Sequence, residues 1–454
     1  MALVSPFIAS PSVTVARPVS HRASTAAAIG AIRPPSTRDG SVDAVRAVLL
    51  GIVVLLHAFM VGVGRDESGT PLLENAMEHW AGFPALTWVV QIMPLFFVLG
   101  GFASFTQWTR LRERGTTASD YIAARVRRLL IPAGAAISAI AVFLAALVMT
   151  GVPPEVVSVA GFRIGQPFWF LAVYLVCSAL VPAMVRLHER HRVLTLGALA
   201  AGALLVDIVR VTTGFTAIGL LNMAFVWLLM QQIGFSLADR RFDRIPRSRV
   251  VMIGAGSVLL LAITMLTGFY PTDLLSALNP PMGALVLLGI AQVSLFLLLR
   301  PALRRVTNGR ASTVIGWINA RAMTIYAWHM LVVVALAGSL LLLPIDLPTP
   351  LSSDWWATRP LWLVGVMIAV AALVAIVGRT EARRPSPIDG VRAPWATASA
   401  VVATAAVVLA LLGGSAPAAW VIAAALAPLA IWIASRAAGP RTAAETAIPA
   451  GRQG

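Results

Sequence analysis

The chain has 454 residues, of which 58% are hydrophobic and 12% charged, and its mean hydropathy is +0.84. These proportions exclude a soluble globule and describe an all-α, polytopic integral membrane helical bundle. The net charge of +16 comes from 35 basic residues, every one of them Arg. Their placement, given below, accounts for that charge without nucleic acid.

Residues 1–40, rich in Pro, Ser, Ala and Arg, lack the uninterrupted apolar core of a signal peptide and read as a disordered tail. A bilayer span needs about 20 apolar residues. Twelve segments qualify, at 44–63, 85–106, 129–150, 168–185, 194–211, 217–237, 250–269, 281–299, 322–344, 361–378, 396–413 and 417–435. Of the Arg residues, 30 fall in the tails and in alternate loops; only Arg65, Arg163, Arg210 and Arg359 fall in the others. Cytoplasmic loops carry the Arg excess, so both termini are expected in the cytoplasm of a multi-pass cell-membrane protein. Some of these Arg residues are expected to touch anionic membrane lipid. The single cysteine, Cys177, offers neither a disulfide nor a Cys-based metal site, and no metal site is expected.

The first span opens with Asp43 and Arg46 and carries His57 deep inside. At 100° per residue these three share one face, and a polar face in a membrane looks inward rather than at lipid. In the second span Gly100 and Gly101 suit close helix packing. Before the third, Arg125 and Arg128 are three apart and project from one helical face, as a pair able to grip phosphate through paired hydrogen bonds. The fourth opens with Trp169 and Phe170, which suit an aromatic belt or a wall for a ligand. The ninth holds His329, with Tyr326 one turn earlier on the same face. Counting rise along each helix, His329 lies about 10 Å in and His57 about 16 Å beyond Arg46, which predicts different depths for the two imidazoles.

Together these segments resemble the acyltransferase 3 family of membrane acyltransferases. The resemblance rests on Arg46 and His57 with ten residues between them, PLFFVLGGF at 94–102, Arg125 and Arg128 followed by an apolar pair and Pro132, WFL at 169–171 and TIYAWH at 324–329. It covers roughly residues 40–380. Gly100 departs from the family, which often carries Ser there. The resemblance implies a ten-helix core plus two further helices. The expected organisation is a cytoplasmic tail (1–40), a membrane acyltransferase domain (41–380), a cytoplasmic linker (381–395), two extra helices (396–436) and a second tail (437–454).

It also implies transfer of a short acyl group from acyl-coenzyme A, the donor, to a hydroxyl of a glycan, glycolipid or glycosylated small molecule, with no bound cofactor. A hydroxyl attacks a thioester only when a base takes its proton, a role that suits a neutral His57. Arg46 and Asp43 are then expected to hold the donor or orient the site. Arg125 and Arg128 would bind coenzyme A phosphates, with His329, Tyr326 and Trp169 as further substrate contacts. Two other classes fit the residues less fully. One is a secondary transporter with the intramembrane His and Arg as a proton or substrate site. The other is a lipid-carrier-binding protein.

Overall fold

The computed structural model describes residues 39–65, 71–307, 309–379 and 389–436. The expected tails over 1–38 and 437–454, and most of the 381–395 linker, lie outside these residues. Within them the protein is a polytopic bundle of α-helices, and eleven stretches are long and apolar enough to cross a membrane. The twelve expected spans map onto these eleven because two of them share one stretch, Pro154–Thr213.

The first helix, α1 (Gly40–Met60), ends earlier than the apolar run suggests. The chain then enters a two-stranded antiparallel hairpin, β1 (Val61–Arg65) and β2 (Pro71–Asn75), which the sequence reading did not anticipate. The second expected span is broken. A short helix α2 (Phe83–Val90) gives way at Gln91 to α3 (Met93–Glu113), whose first turn carries Pro94. Proline has no N–H and fits a first turn, so it restarts a helix more readily than it continues one. Backbone groups freed at such a break must be satisfied inside a membrane. Gln292 does this from α9 (Ala284–Val306): its Nε2 donates to Gln91 O at 2.7 Å and its Oε1 accepts Leu95 N–H at 3.1 Å.

Helix α4 (Ala118–Met149) begins at Thr117, whose Oγ1 accepts the Asp120 N–H at 3.1 Å in an N-terminal cap. After α5 (Pro154–Gly165), helix α6 (Phe168–Thr213) carries two spans joined at a sharp bend at His191, where φ is −139°. The helices α7 (Asn222–Ala238), α8 (Arg247–Leu266), α10 (Arg310–Ala320), α11 (Ala322–Leu340) and α12 (Ser353–Val377) complete the core. Helices α13 (Ala393–Leu412) and α14 (Pro417–Ala434) pack on each other and on α4 and α6.

Close packing in lipid favours small residues at helix contacts. Gly101 of α3 and Gly234 of α7 do this work. A methyl group at either would strike the facing backbone, at Gln231 and Val98 respectively. Helix α1 lies against α10, α11 and α12, and α11 against α4 and α5. Three of the polar segments singled out above, on α1, α4 and α11, are therefore neighbours.

Candidate active site

Along α1, Arg46, Leu50, Val53 and His57 form one stripe, and the stripe faces two adjoining cavities. The first is lined by Arg46, Leu50 and Val53 of α1, by Arg125, Arg128 and Leu129 of α4, and by Tyr174, Asn319 and Tyr326 among others. No carboxylate lines it, so its charge comes from three guanidinium groups. Arg125 is 8% exposed and its guanidinium sits over the Tyr121 ring at 5.8 Å. Arg128, one turn on, is exposed. Arg127 does not line the cavity.

Gly100 makes room for the aromatic wall. A Cβ there would stand 3.1 Å from the Tyr174 ring, which is stacked on Phe170.

The second cavity lies toward the far end of α1. It is lined by Val53, Leu56 and His57, by Val90 to Met93 at the helix break, by Pro167, Trp169 and Phe170, by Tyr326, and by Leu275 and Leu278 from the loop between α8 and α9. Val53, Met93, Phe170 and Tyr326 line both cavities and form the waist between them. Non-helical backbone at membrane depth is expected where it lines a cavity, and the break at Gln91 does so.

The two membrane histidines meet at this second cavity. His57 Nδ1 and His329 Nε2 are 3.0 Å apart, and His329 Nδ1 is 2.7 Å from the Tyr326 carbonyl oxygen. A carbonyl only accepts, so His329 Nδ1 carries the hydrogen. His329 is wholly buried and His57 partly so, and with no carboxylate lining either cavity an imidazolium here would be an unpaired cation, so both rings are taken as neutral. His329 Nε2 is then an acceptor and His57 Nδ1 must donate to it. That assignment leaves the lone pair of His57 on Nε2. This is the arrangement a general base requires.

The expectation of different depths is overturned. Rise counted along each helix assumes that both start at one level and stand upright. Here Asn319, just before α11, donates to the Asp43 carbonyl at 2.7 Å, and the two imidazoles reach toward each other across the remaining offset.

Of the residues singled out in the sequence, Arg46, Arg125, Arg128 and Tyr326 line the first cavity, and His57, Trp169 and Tyr326 the second. His329 stands behind His57, wholly buried. Asp43 lines neither cavity; lying one turn nearer the start of α1, it contributes its backbone carbonyl to Asn319. Tyr326 spends its hydroxyl on the Pro167 carbonyl. Sequence reasoning missed Tyr174, Gln91, Asn319 and Gln292. Their only signal was a polar side chain within an apolar run. Among the described residues no three His, Cys, Asp or Glu side chains converge as metal ligands would.

Bundle and cavities together define a multi-pass membrane protein with an imidazole on the wall of an apolar chamber that adjoins a cationic one. Residues 39–379 match the acyltransferase domain of the acyltransferase 3 family. That is most of the chain, and the protein belongs to this family: it is a membrane acyltransferase. Helices α13 and α14 lie beyond the matched region. No curated protein and no solved structure matches the chain.

Proposed function

We propose that this acyltransferase moves a short acyl group, acetyl or similar, from acyl-coenzyme A to a hydroxyl of a carbohydrate or glycosylated acceptor. The observation that carries the reading is the pairing of His57 Nδ1 with His329 Nε2 on the wall of the second cavity, next to the cationic one. Coenzyme A is rich in phosphate, and guanidinium groups bind phosphate by geometry as well as charge. Arg125 and Arg128, with Arg46 deeper on the facing helix, give the first cavity that character. The acyl thioester then reaches through the waist toward His57.

The acceptor hydroxyl loses its proton to His57 Nε2 as its oxygen attacks the acyl carbon. The carbon–sulfur bond breaks, the ester forms, and the proton passes from His57 to the departing thiolate. His329 is a positioning residue: by accepting from Nδ1 it keeps the lone pair of His57 on the cavity side. With both termini in the cytoplasm, as the Arg distribution indicates, the donor enters from the cytoplasmic side and the acceptor from the outer half. The acyltransferase domain is then residues 41–380, with 396–436 as two appended helices. No feature of the site favours transport over transfer.

The test is thiol release from acyl-coenzyme A by purified protein in liposomes. His57→Ala should lower turnover by at least about 10²-fold, the contribution typical of a general base, with the melting temperature unchanged. Near-normal turnover in that variant would overturn the mechanism.

A further inference from the structure

The second cavity carries a statement about the acceptor. Most of its wall is carbon: Val53, Leu56, Val90, Ile92, Met93, Pro167, Phe170, Leu275 and Leu278 stand around His57. The polar side chains among its lining residues are few and mostly engaged. Gln91 donates through Nε2 to Leu274 O at 2.9 Å and accepts Met93 N–H through Oε1. Tyr326 donates to Pro167 O. His57 Nδ1 is bonded to His329. What remains uncommitted among these side chains is His57 Nε2 and the indole N–H of Trp169.

The leucine wall is also fixed in place. The loop between α8 and α9 is tied to α2 and the break by Trp88 Nε1 donating to Thr272 O at 3.2 Å and by Leu274 N donating to Thr87 Oγ1 at 3.0 Å. At its end, Gly283 N donates to the buried Asp207 carboxylate at 2.7 Å, and Tyr270 donates to the same oxygen at 2.8 Å. A wall so braced does not turn polar groups inward to suit a ligand.

A sugar with a hydroxyl on every ring carbon would bury several donors and acceptors here without partners. Each buried hydroxyl left unpaired costs about tenfold or more in affinity. We infer that the acceptor presents its reacting hydroxyl on a hydroxyl-poor, carbon-rich surface, a deoxygenated sugar ring or an apolar aglycone, and not on a fully hydroxylated sugar. This rests on the acyl-transfer reading above and narrows its acceptor class.

The experiment uses the full-length protein in liposomes with acetyl-coenzyme A and two probe alcohols on the same ring skeleton. These are cyclohexanol and myo-inositol, the latter with a hydroxyl on every carbon. The expected result is a kcat/KM for cyclohexyl ester formation at least about tenfold above that for the inositol ester. Leu278→Asn, which places an amide in the wall, should reduce the preference severalfold, and Leu275→Asn provides a second variant should the first fold poorly.

Acetyl-coenzyme A hydrolysis without any acceptor, and its loss in His57→Ala, reports on acyl transfer separately. Equal or greater use of inositol overturns the inference, as does hydrolysis that persists with an ester on neither alcohol. A Leu278→Asn variant that changes the preferred acyl length and leaves the acceptor preference alone also overturns it, since the cavity would then hold the donor's acyl chain. Turnover indifferent to His57→Ala removes the acyl-transfer reading, and this inference with it.

Discussion

The hydrogen bond between His57 and His329 can be tested by exchanging one end of it. His329→Phe removes the acceptor that holds Nδ1 of His57, so the imidazole is no longer confined to one tautomer and orientation. A single hydrogen bond of this kind is worth about 1 kcal/mol, so kcat should fall by several-fold to about tenfold with the donor KM little changed. His329→Gln, which can present a carbonyl oxygen in place of Nε2, should recover part of the loss, and steady-state kinetics on the two variants checks both statements. The Arg pair gives a second test. Arg125→Lys and Arg128→Lys should raise the KM for acyl-coenzyme A more than that for the acceptor, because an ammonium cannot reproduce the planar two-point grip of a guanidinium. Arg127→Lys should leave the donor titration unchanged, since Arg127 does not line the cavity. Three wild-type titrations would reduce all three residues to interchangeable positive charges at the cytoplasmic end of α4. Much at this scale was legible in advance. Helical spacing alone put Arg46 with His57 and Arg125 with Arg128, because those relations lie within one helix. The meeting of His57 with His329 was not legible, since it depends on how two helices tilt, and periodicity carries no information about tilt.

Among the elements, the break between α2 and α3 depends on one side chain. Gln292 satisfies a carbonyl on one side of the gap and an N–H on the other. Gln292→Leu should therefore cost about 2–6 kcal/mol, two buried backbone groups at about 1–3 kcal/mol each, read as a lower melting temperature in detergent. Gln292→Glu, which keeps the acceptor and loses the donor, should fall between. If Gln292→Leu melts with the wild type, the gap is held by something else. Pro94 pointed to this break, as a proline suited to a first turn, yet the apolar run on both sides concealed it: hydropathy reports burial and is blind to where backbone hydrogen bonding stops. The same blindness hid the hairpin Val61–Asn75. The turn within α6 at His191 was visible only as a cluster of Arg residues between two apolar runs.

For the molecule as a whole, the Arg asymmetry yields an orientation that labelling can check. In a Cys177→Ser background, a cysteine at Ser352 should react with an impermeant thiol reagent applied to intact cells, and cysteines at Ser119 and Ser248 should not. The reverse pattern would invert the protein and move the donor to the outer face. The span count, the helical class and the family were all readable from composition and motif order, since a membrane forces every span to declare itself in apolar length. The two cavities were not, because a cavity is what several helices leave unfilled. Their waist has an electrical consequence. A site reached by donor and acceptor from opposite sides of a bilayer, as proposed above, would be one step from a pore, and a pore would discharge the ion gradients across the membrane. Val53, Met93 and Phe170 present only apolar surface at the narrowing, and the Tyr326 hydroxyl there is already committed to Pro167. A constriction of this kind sheds water and breaks any file of molecules along which protons would hop. On the proposed reaction, a thioester and a hydroxyl would meet across a narrowing that conducts neither ions nor protons.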